Sequence, residues 1–144
     1  MNNLYLTSSL TNKKEIFNPI NKEKISLYAC GPTVYDNPHV GNARTLVVFD
    51  TLFRVLKLVY GNVIYVRNIT DIDDKIIETA KKNNKPINEI TDVVLKVFHK
   101  NCKDLNCLKP TKEPKATEHV KEMIQMINSL IKKEFAYVSE GNVY

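Results

Sequence analysis

The pattern of apolar and polar positions predicts a strand, a helix and a second strand in the first half of the chain. Apolar residues fill most positions of Ile25–Cys30, as in a short buried strand, and a glycine and a proline follow. Residues 33–38 lack a periodic pattern, which predicts a loop. From Gly41 to Gly61, apolar residues recur at spacings of three and four, as on one face of a helix. The β-branched and aromatic run at 63–66 predicts the second strand.

The second half of the chain is predicted to contain three further helices and a hairpin. Helical spacing extends over residues 71–83, 87–105 and 120–131, and prolines or asparagines separate these segments. The short apolar segments 136–138 and 142–144 flank a polar turn, as in a β-hairpin. The order strand, helix, strand, helix is typical of an α/β unit with a parallel sheet.

Composition and charge exclude several classes of protein. The chain has 144 residues, of which 43% are hydrophobic and 26% charged. These values exclude an intrinsically disordered chain and a disulfide miniprotein, and they fit one domain or part of a larger one. No apolar run is long enough to span a membrane and no signal peptide is visible, so we expect a cytoplasmic protein. The net charge of +5 permits binding to a polyanion, although a solvated lysine-rich surface is the simpler interpretation.

The three cysteines do not form a recognisable framework. They are Cys30, Cys102 and Cys107. An odd number in a chain without a signal peptide argues against a set of disulfides, and the sequence contains no Cys-x-x-Cys pair. A self-contained structural zinc site is therefore not expected.

The segment after the first predicted strand is dense in polar groups. Ligands of parallel sheets bind beyond the carboxyl ends of the strands, so this segment is a candidate site. His39 stands just before the predicted helix, where its imidazole and the first free backbone N–H groups would suit a phosphate or a developing negative charge. Gly41 has no side chain, so a flat ligand can approach the backbone there. Taken alone, a histidine before a helix is more often a cap or a surface residue, and no P-loop or dinucleotide motif is present.

The segment after the second predicted strand admits two interpretations. Thr70 and Asp73 have the spacing of a capping box at the start of a helix, and further acidic residues there suit the helix dipole. Alternatively, Asn68 and Thr70 face the crevice and bind a small polar substrate. Spacing alone leaves both interpretations open.

Two long ungapped blocks of this sequence closely resemble the N-terminal part of cysteinyl-tRNA synthetases. The first block comprises 30–36, 39–42 and 49–50, the second runs through 65–77, and a shorter match lies at 113–117. Members of this family activate cysteine with ATP to cysteinyl-adenylate and transfer the cysteinyl group to the 3′ end of tRNA(Cys). The resemblance therefore implies an ATP-dependent ligase whose partners are cysteine, ATP with magnesium, and tRNA(Cys).

The resemblance also implies an architecture. The fold would be α/β, the first half of a class I synthetase Rossmann-like parallel sheet with flanking helices. Residues 1–134 would form the N-terminal half of the catalytic domain and 135–144 the start of a connective insertion, here a hairpin. The second class I signature, Lys-Met-Ser-Lys-Ser, has no counterpart in residues 1–144. We therefore expect a fragment that needs the downstream part of the same polypeptide and does not aminoacylate tRNA alone.

The family's ATP signature corresponds to His39, Gly41 and Asn42. The resemblance implies that His39 stabilises charge on the α-phosphate, with Asn42 as a second catalytic residue, that Gly41 admits the adenine, and that Thr33 also contacts ATP. The fuller signature has a second histidine where this chain has Asn42. An amide can still donate a hydrogen bond, but it cannot become cationic.

The resemblance implies a zinc ion that recognises the substrate thiol. Cys30 matches the family's first zinc ligand, and zinc prefers a thiolate to a hydroxyl, so it would separate cysteine from serine. Gly31 and Thr70 match positions that contact the cysteine substrate, and Tyr35 and Asp36 would shape the pocket. The other zinc ligands are expected downstream. Four residues with suitable side chains are expected to have surface or core roles instead: His99, Cys102, Cys107 and His119.

Two alternatives to a tRNA ligase are kept. A ligase that joins cysteine to an amino sugar in thiol biosynthesis would share the zinc cysteine, although the intact block 68–75 favours the tRNA enzyme. A non-catalytic module that retains affinity for ATP or tRNA is also consistent with the basic residues of 75–144.

Overall fold

The computed structural model describes residues 4–144. Strands and helices alternate only from the third strand to the second helix, and a short 3₁₀ turn, Ala116–His119, precedes the last helix. The elements are β1 (Tyr5–Ser8), β2 (Lys13–Ile16), β3 (Ile25–Ala29), α1 (Val40–Tyr60), β4 (Val63–Arg67), α2 (Asp74–Lys82), α3 (Ile87–Asp104), α4 (Val120–Lys132), β5 (Val138–Ser139) and β6 (Asn142–Val143). The hairpin of β1 and β2 was not predicted, because its residues are mostly exposed and carry no clear apolar alternation.

β3, α1 and β4 form a βαβ unit. The two strands pair in parallel from Ile25 opposite Val63 to Ala29 opposite Arg67, which confirms both predicted strands and their direction. α1 ends at Gly61, whose φ of +77° is accessible to glycine without the steric cost that a side chain imposes. The predicted helix and its end are therefore confirmed.

A third extended segment lies beside β4. Parallel bridges join Val66 to Lys112 and Ile69 to Lys115. No strand was predicted here from the sequence, because prolines at 110 and 114 interrupt any strand pattern. Proline is tolerated where its missing N–H is not needed for a second neighbour, as at the edge of a sheet.

α2 begins three residues later than predicted. Asp73 caps this helix and accepts a hydrogen bond from the backbone N–H of Lys75 at 2.9 Å. Thr70 instead lies in extended backbone paired with Thr33, so a capping box between Thr70 and Asp73 is wrong. The predicted helices α3 and α4 and the hairpin of β5 and β6 are confirmed.

Two apolar clusters hold these elements together. The first packs α1 against β3 and β4, and its buried members are Ile25, Ala29, Phe53, Leu56, Val63 and Tyr65. The second joins the start of α1 to α2 and α3, and its buried members are Val34, Leu46, Ile69, Ile76, Val94, Phe98 and Cys102. The apolar residues of α4 are by contrast exposed or only partly buried. Within residues 4–144, no helix combines the length and the apolar character needed to cross a bilayer.

Candidate functional site

The carboxyl ends of β3 and β4 continue as an irregular pair of segments. The last regular pair joins Ala29 to Arg67, and the next bridge joins Thr33 to Thr70. Three residues therefore lie between these pairs after β3, but only two after β4, which is the count of a β-bulge. Bulges re-aim side chains and occur frequently next to active sites. The prediction of a loop from residue 33 is wrong at its start, because Thr33 belongs to this pairing.

Gly31 lies within the bulge and touches the opposite segment. Its N–H donates to the side-chain Oδ1 of Asn68 at 2.9 Å. A Cβ atom at Gly31 would stand 1.5 Å from the backbone oxygen of Asn68. The bulge therefore requires glycine at this position, because any side chain would collide with the neighbouring backbone.

Three of the predicted site residues line one small cavity. Cys30, Gly31 and Asn42 face a space of about 140 Å³ whose walls come from β3, β4, α1 and α3. Cys30 is an exposed free thiol at the end of β3. The structure thus brings the candidate zinc ligand and one residue of the candidate ATP signature to the same place.

His39 is the N-cap of α1 and bonds to its own helix. The ring Nδ1 accepts a hydrogen bond from the N–H of Gly41 at 3.1 Å, and the Oδ1 of Asn42 accepts one from the N–H of His39 at 2.9 Å. Nδ1 can accept only when it carries no proton, so in the neutral ring the proton is on Nε2. Because the ring occupies the N–H of Gly41, that N–H is not free for a ligand, contrary to the expectation from the sequence.

His39 and Asn42 face different cavities. His39 lines a second space, of about 280 Å³, between the start of α1 and the end of α3. Asn42 lines the cavity at Cys30. Gly41 lies between them, and a Cβ there would stand 2.8 Å from Cε1 of His39. The ATP-signature residues are therefore adjacent along the helix but are not collected in one cavity.

Tyr35 and Asp36 lie in the exposed loop that precedes His39. The ammonium group of Lys75 lies 5.3 Å from the centre of the Tyr35 ring, and Asp36 accepts a hydrogen bond from the N–H of Asn37 at 2.6 Å. Their polar contacts are therefore within the loop and with the start of α2.

An ion pair between the buried Arg67 and the partly buried Glu113 lies next to the site and was not predicted from the sequence. Arg67 is 4% exposed and donates through Nε and Nη2 to Oε1 of Glu113, at 3.1 and 2.6 Å. The other oxygen of Glu113 lies 2.7 Å from Nε2 of His99, and the Arg67 guanidinium lies 4.9 Å from the centre of the Phe98 ring. Burial opposes the charged form of Arg67, but the bond to Glu113 raises its pKa above the usual value. The sequence feature that points to this ion pair is an arginine at a buried position of β4.

Acidic and thiol side chains elsewhere have structural contacts. Asp71 is buried and accepts hydrogen bonds from the N–H and the hydroxyl of Thr117 at 2.9 and 2.6 Å, which joins the segment between β4 and α2 to the 3₁₀ turn. Burial raises the pKa of the Cys102 and Cys107 thiols.

Among residues 4–144, no three histidine, cysteine or acidic side chains are grouped so as to hold a metal ion.

Comparison with known proteins gives one consistent family. Residues 16–144 match the family model described as the catalytic domain of class I (C) tRNA synthetases. A cysteine–tRNA ligase of Pelagibacter ubique is 57% identical over 98% of the chain and 32% of its own length. Those of a Wolbachia strain from Drosophila simulans and of Rickettsia bellii are 53% and 52% identical over 96% and 98% of the chain, and over 30% and 31% of their own lengths. The chain therefore spans about a third of the length of the curated relatives it matches.

Proposed function

The chain belongs to the class I (C) tRNA synthetase catalytic-domain family, and on that premise we propose that it is the N-terminal part of a cysteine–tRNA ligase. The whole protein would activate cysteine with ATP and transfer the cysteinyl group to tRNA(Cys). The observation that carries the proposal is 57% identity over nearly the whole chain to a protein of that name. No observation on residues 4–144 favours the amino-sugar ligase.

We further propose that the βαβ unit is the first half of a Rossmann-like sheet. The parallel pairing of β3 and β4, and of β4 with the segment around Lys112, supports this arrangement. Residues 1–134 would then be the N-terminal half of the catalytic domain, and 135–144 would begin the connective insertion. Sites of such sheets lie beyond the carboxyl ends of the strands, which is where Cys30 and Gly31 stand.

His39 would bind ATP through Nε2, the ring nitrogen that does not bond to the backbone of its own helix. With Nδ1 engaged by Gly41, Nε2–H is left to donate to an oxygen of the α-phosphate, where negative charge develops during adenylate formation. Asn42 fixes the backbone of His39 through Oδ1, and its Nδ2 can donate a second hydrogen bond. Thr33 and Gly41 would complete the ATP contacts, and magnesium would accompany the nucleotide.

Cys30 fits the role of a zinc ligand, because it is a free, exposed thiol at the end of β3. The described residues offer no complete ligand set, so the remaining ligands would come from elsewhere in the longer protein. Bound zinc would take the substrate thiol as a thiolate and so favour cysteine over serine. Gly31 and Thr70 would contact the same substrate from the two sides of the bulge.

Removal of the Cys30 thiol tests the zinc proposal. We expect the full-length Cys30→Ser protein to lose stoichiometric zinc in elemental analysis, because a hydroxyl is a poor ligand for zinc in this setting. Cys107→Ser is the matched control and should retain the metal. Full zinc content together with unchanged rejection of serine in Cys30→Ser would contradict the assignment.

The acceptor of the cysteinyl group tests the proposed reaction. The full-length protein is incubated with ATP and labelled cysteine, and with either a tRNA(Cys) transcript or an amino sugar. We expect label on the 3′ end of the tRNA and none on the sugar. Transfer of the label to the sugar alone would favour the amino-sugar ligase. Binding of ATP or tRNA without formation of cysteinyl-adenylate would favour a non-catalytic module.

A further inference from the structure

The side chain of Asn68 joins the two segments that form the bulge. Its Oδ1 accepts a hydrogen bond from the N–H of Gly31 at 2.9 Å, across 37 positions of sequence. Its Nδ2 donates to the hydroxyl oxygen of Thr70 at 3.2 Å. One amide therefore bonds to both residues that the proposed function places against the cysteine substrate.

Chemistry fixes the direction of both hydrogen bonds. The N–H of Gly31 can only donate, so the Asn68 atom that faces it must be the oxygen. The NH₂ group then faces Thr70, and the hydroxyl of Thr70 must accept. A hydroxyl has a single proton, so the proton of Thr70 remains available for donation to another group.

We propose that Asn68 is a positioning residue for cysteine recognition, and that its amide holds the Thr70 hydroxyl as a proton donor toward an acceptor atom of the cysteine substrate. The inference rests on the proposed function. It gives Asn68 an indirect role in place of the direct substrate contact expected from the sequence, because its oxygen bonds to Gly31 and one of its N–H groups bonds to Thr70.

Asn68→Asp is the sharpest test, because it changes one donor into an acceptor at nearly constant shape. The aspartate still accepts from Gly31, but its second oxygen draws the proton of Thr70 to itself. In ATP–pyrophosphate exchange by the full-length protein, we expect the KM for cysteine to rise about tenfold, the loss of one hydrogen bond. The KM for ATP should stay within about twofold. Asn88→Asp, which adds the same charge on the exposed first turn of α3, should behave as the parent protein.

A double-mutant cycle with Thr70 separates positioning from other effects. Thr70→Val should raise the KM for cysteine about tenfold, and Asn68→Asp should then add nothing further. With Thr70→Ser, which keeps the hydroxyl, Asn68→Asp should act as it does in the parent. A full additional loss in the Thr70→Val protein would show a direct charge effect and overturn the inference.

Folding and activity controls distinguish the ways of failing. Asn68→Ser removes both amide contacts without a charge and should also raise the KM for cysteine. If neither Asn68 variant folds, as judged by thermal melts, Asn68 is a folding determinant and the inference is wrong. If the parent shows no cysteine-dependent exchange, the proposed function fails. Normal exchange by the parent and an unaltered KM in Asn68→Asp would overturn the inference alone.

Discussion

At the scale of single residues, the candidate site depends on polar groups that bond to backbone. His39 accepts from Gly41, and Asn68 accepts from Gly31. Each bond occupies one end of a side chain and thereby determines what the other end offers: Nε2–H of His39 and, through Asn68, the hydroxyl proton of Thr70. Hydrogen bonds within the protein therefore determine which protons the site can donate to a ligand.

Replacement of Gly31 should cost a large part of the stability. Gly31→Ala should lower the free energy of unfolding by about 3 kcal/mol, because its Cβ would collide with the backbone oxygen of Asn68 at 1.5 Å. Gly41→Ala is the control, since its Cβ meets only the His39 ring, and it should change stability by less than about 1 kcal/mol. Urea unfolding compares the two. Equal midpoints would show that the bulge does not require glycine.

The sequence predicted the kinds of residue at the site but not their contacts. The position of His39 before a helix followed from apolar spacing that begins at Gly41, and the structure confirms it as the N-cap. The bond between Asn68 and Gly31 could not be predicted, because it joins residues 37 positions apart and depends on the register of two strands. Local propensity carries no information on such a long-range contact.

At the scale of elements, the βαβ unit was predictable and its edges were not. β3 and β4 are apolar runs, so their pattern identifies them directly. The segment around Lys112 pairs with β4 although it contains lysines and prolines, because exposure at an edge relaxes the need for apolar residues. α2 begins later than the sequence predicts because Asp71, which was expected in its first turn, is instead buried and bonded to Thr117. Tertiary contacts therefore overrode the local signals at both places.

The ion pair of Arg67 and Glu113 should be a main contributor to the link between β4 and this edge segment. Glu113→Gln leaves the buried guanidinium without its counter-charge, and we expect a loss of about 3 kcal/mol in the free energy of unfolding. Asp104→Asn makes the same chemical change in the exposed pair with Lys100 and should cost less than about 1 kcal/mol. Urea titration measures both. A loss no larger in Glu113→Gln than in Asp104→Asn would refute a stabilising role for the pair of Arg67 and Glu113.

At the scale of the whole molecule, family membership decides the proposed function. The residues described here supply one candidate ATP signature, at His39 to Asn42, and one candidate zinc ligand, Cys30. The chain spans about a third of its curated relatives, so catalysis by the full-length protein is where the proposal must be tested. Composition and periodicity alone predict an α/β ligand-binding unit. The specific reaction is inferred only from the resemblance to known synthetases and from the comparison with known proteins.

ATP–pyrophosphate exchange by the full-length protein tests the central claim most directly. We predict exchange that depends on cysteine, is at least about a hundredfold less efficient with serine, and falls by about 10²–10³ in kcat in His39→Ala, which lacks the Nε2–H donor. Exchange without cysteine dependence, or none at all from a folded, zinc-replete protein, would contradict the account.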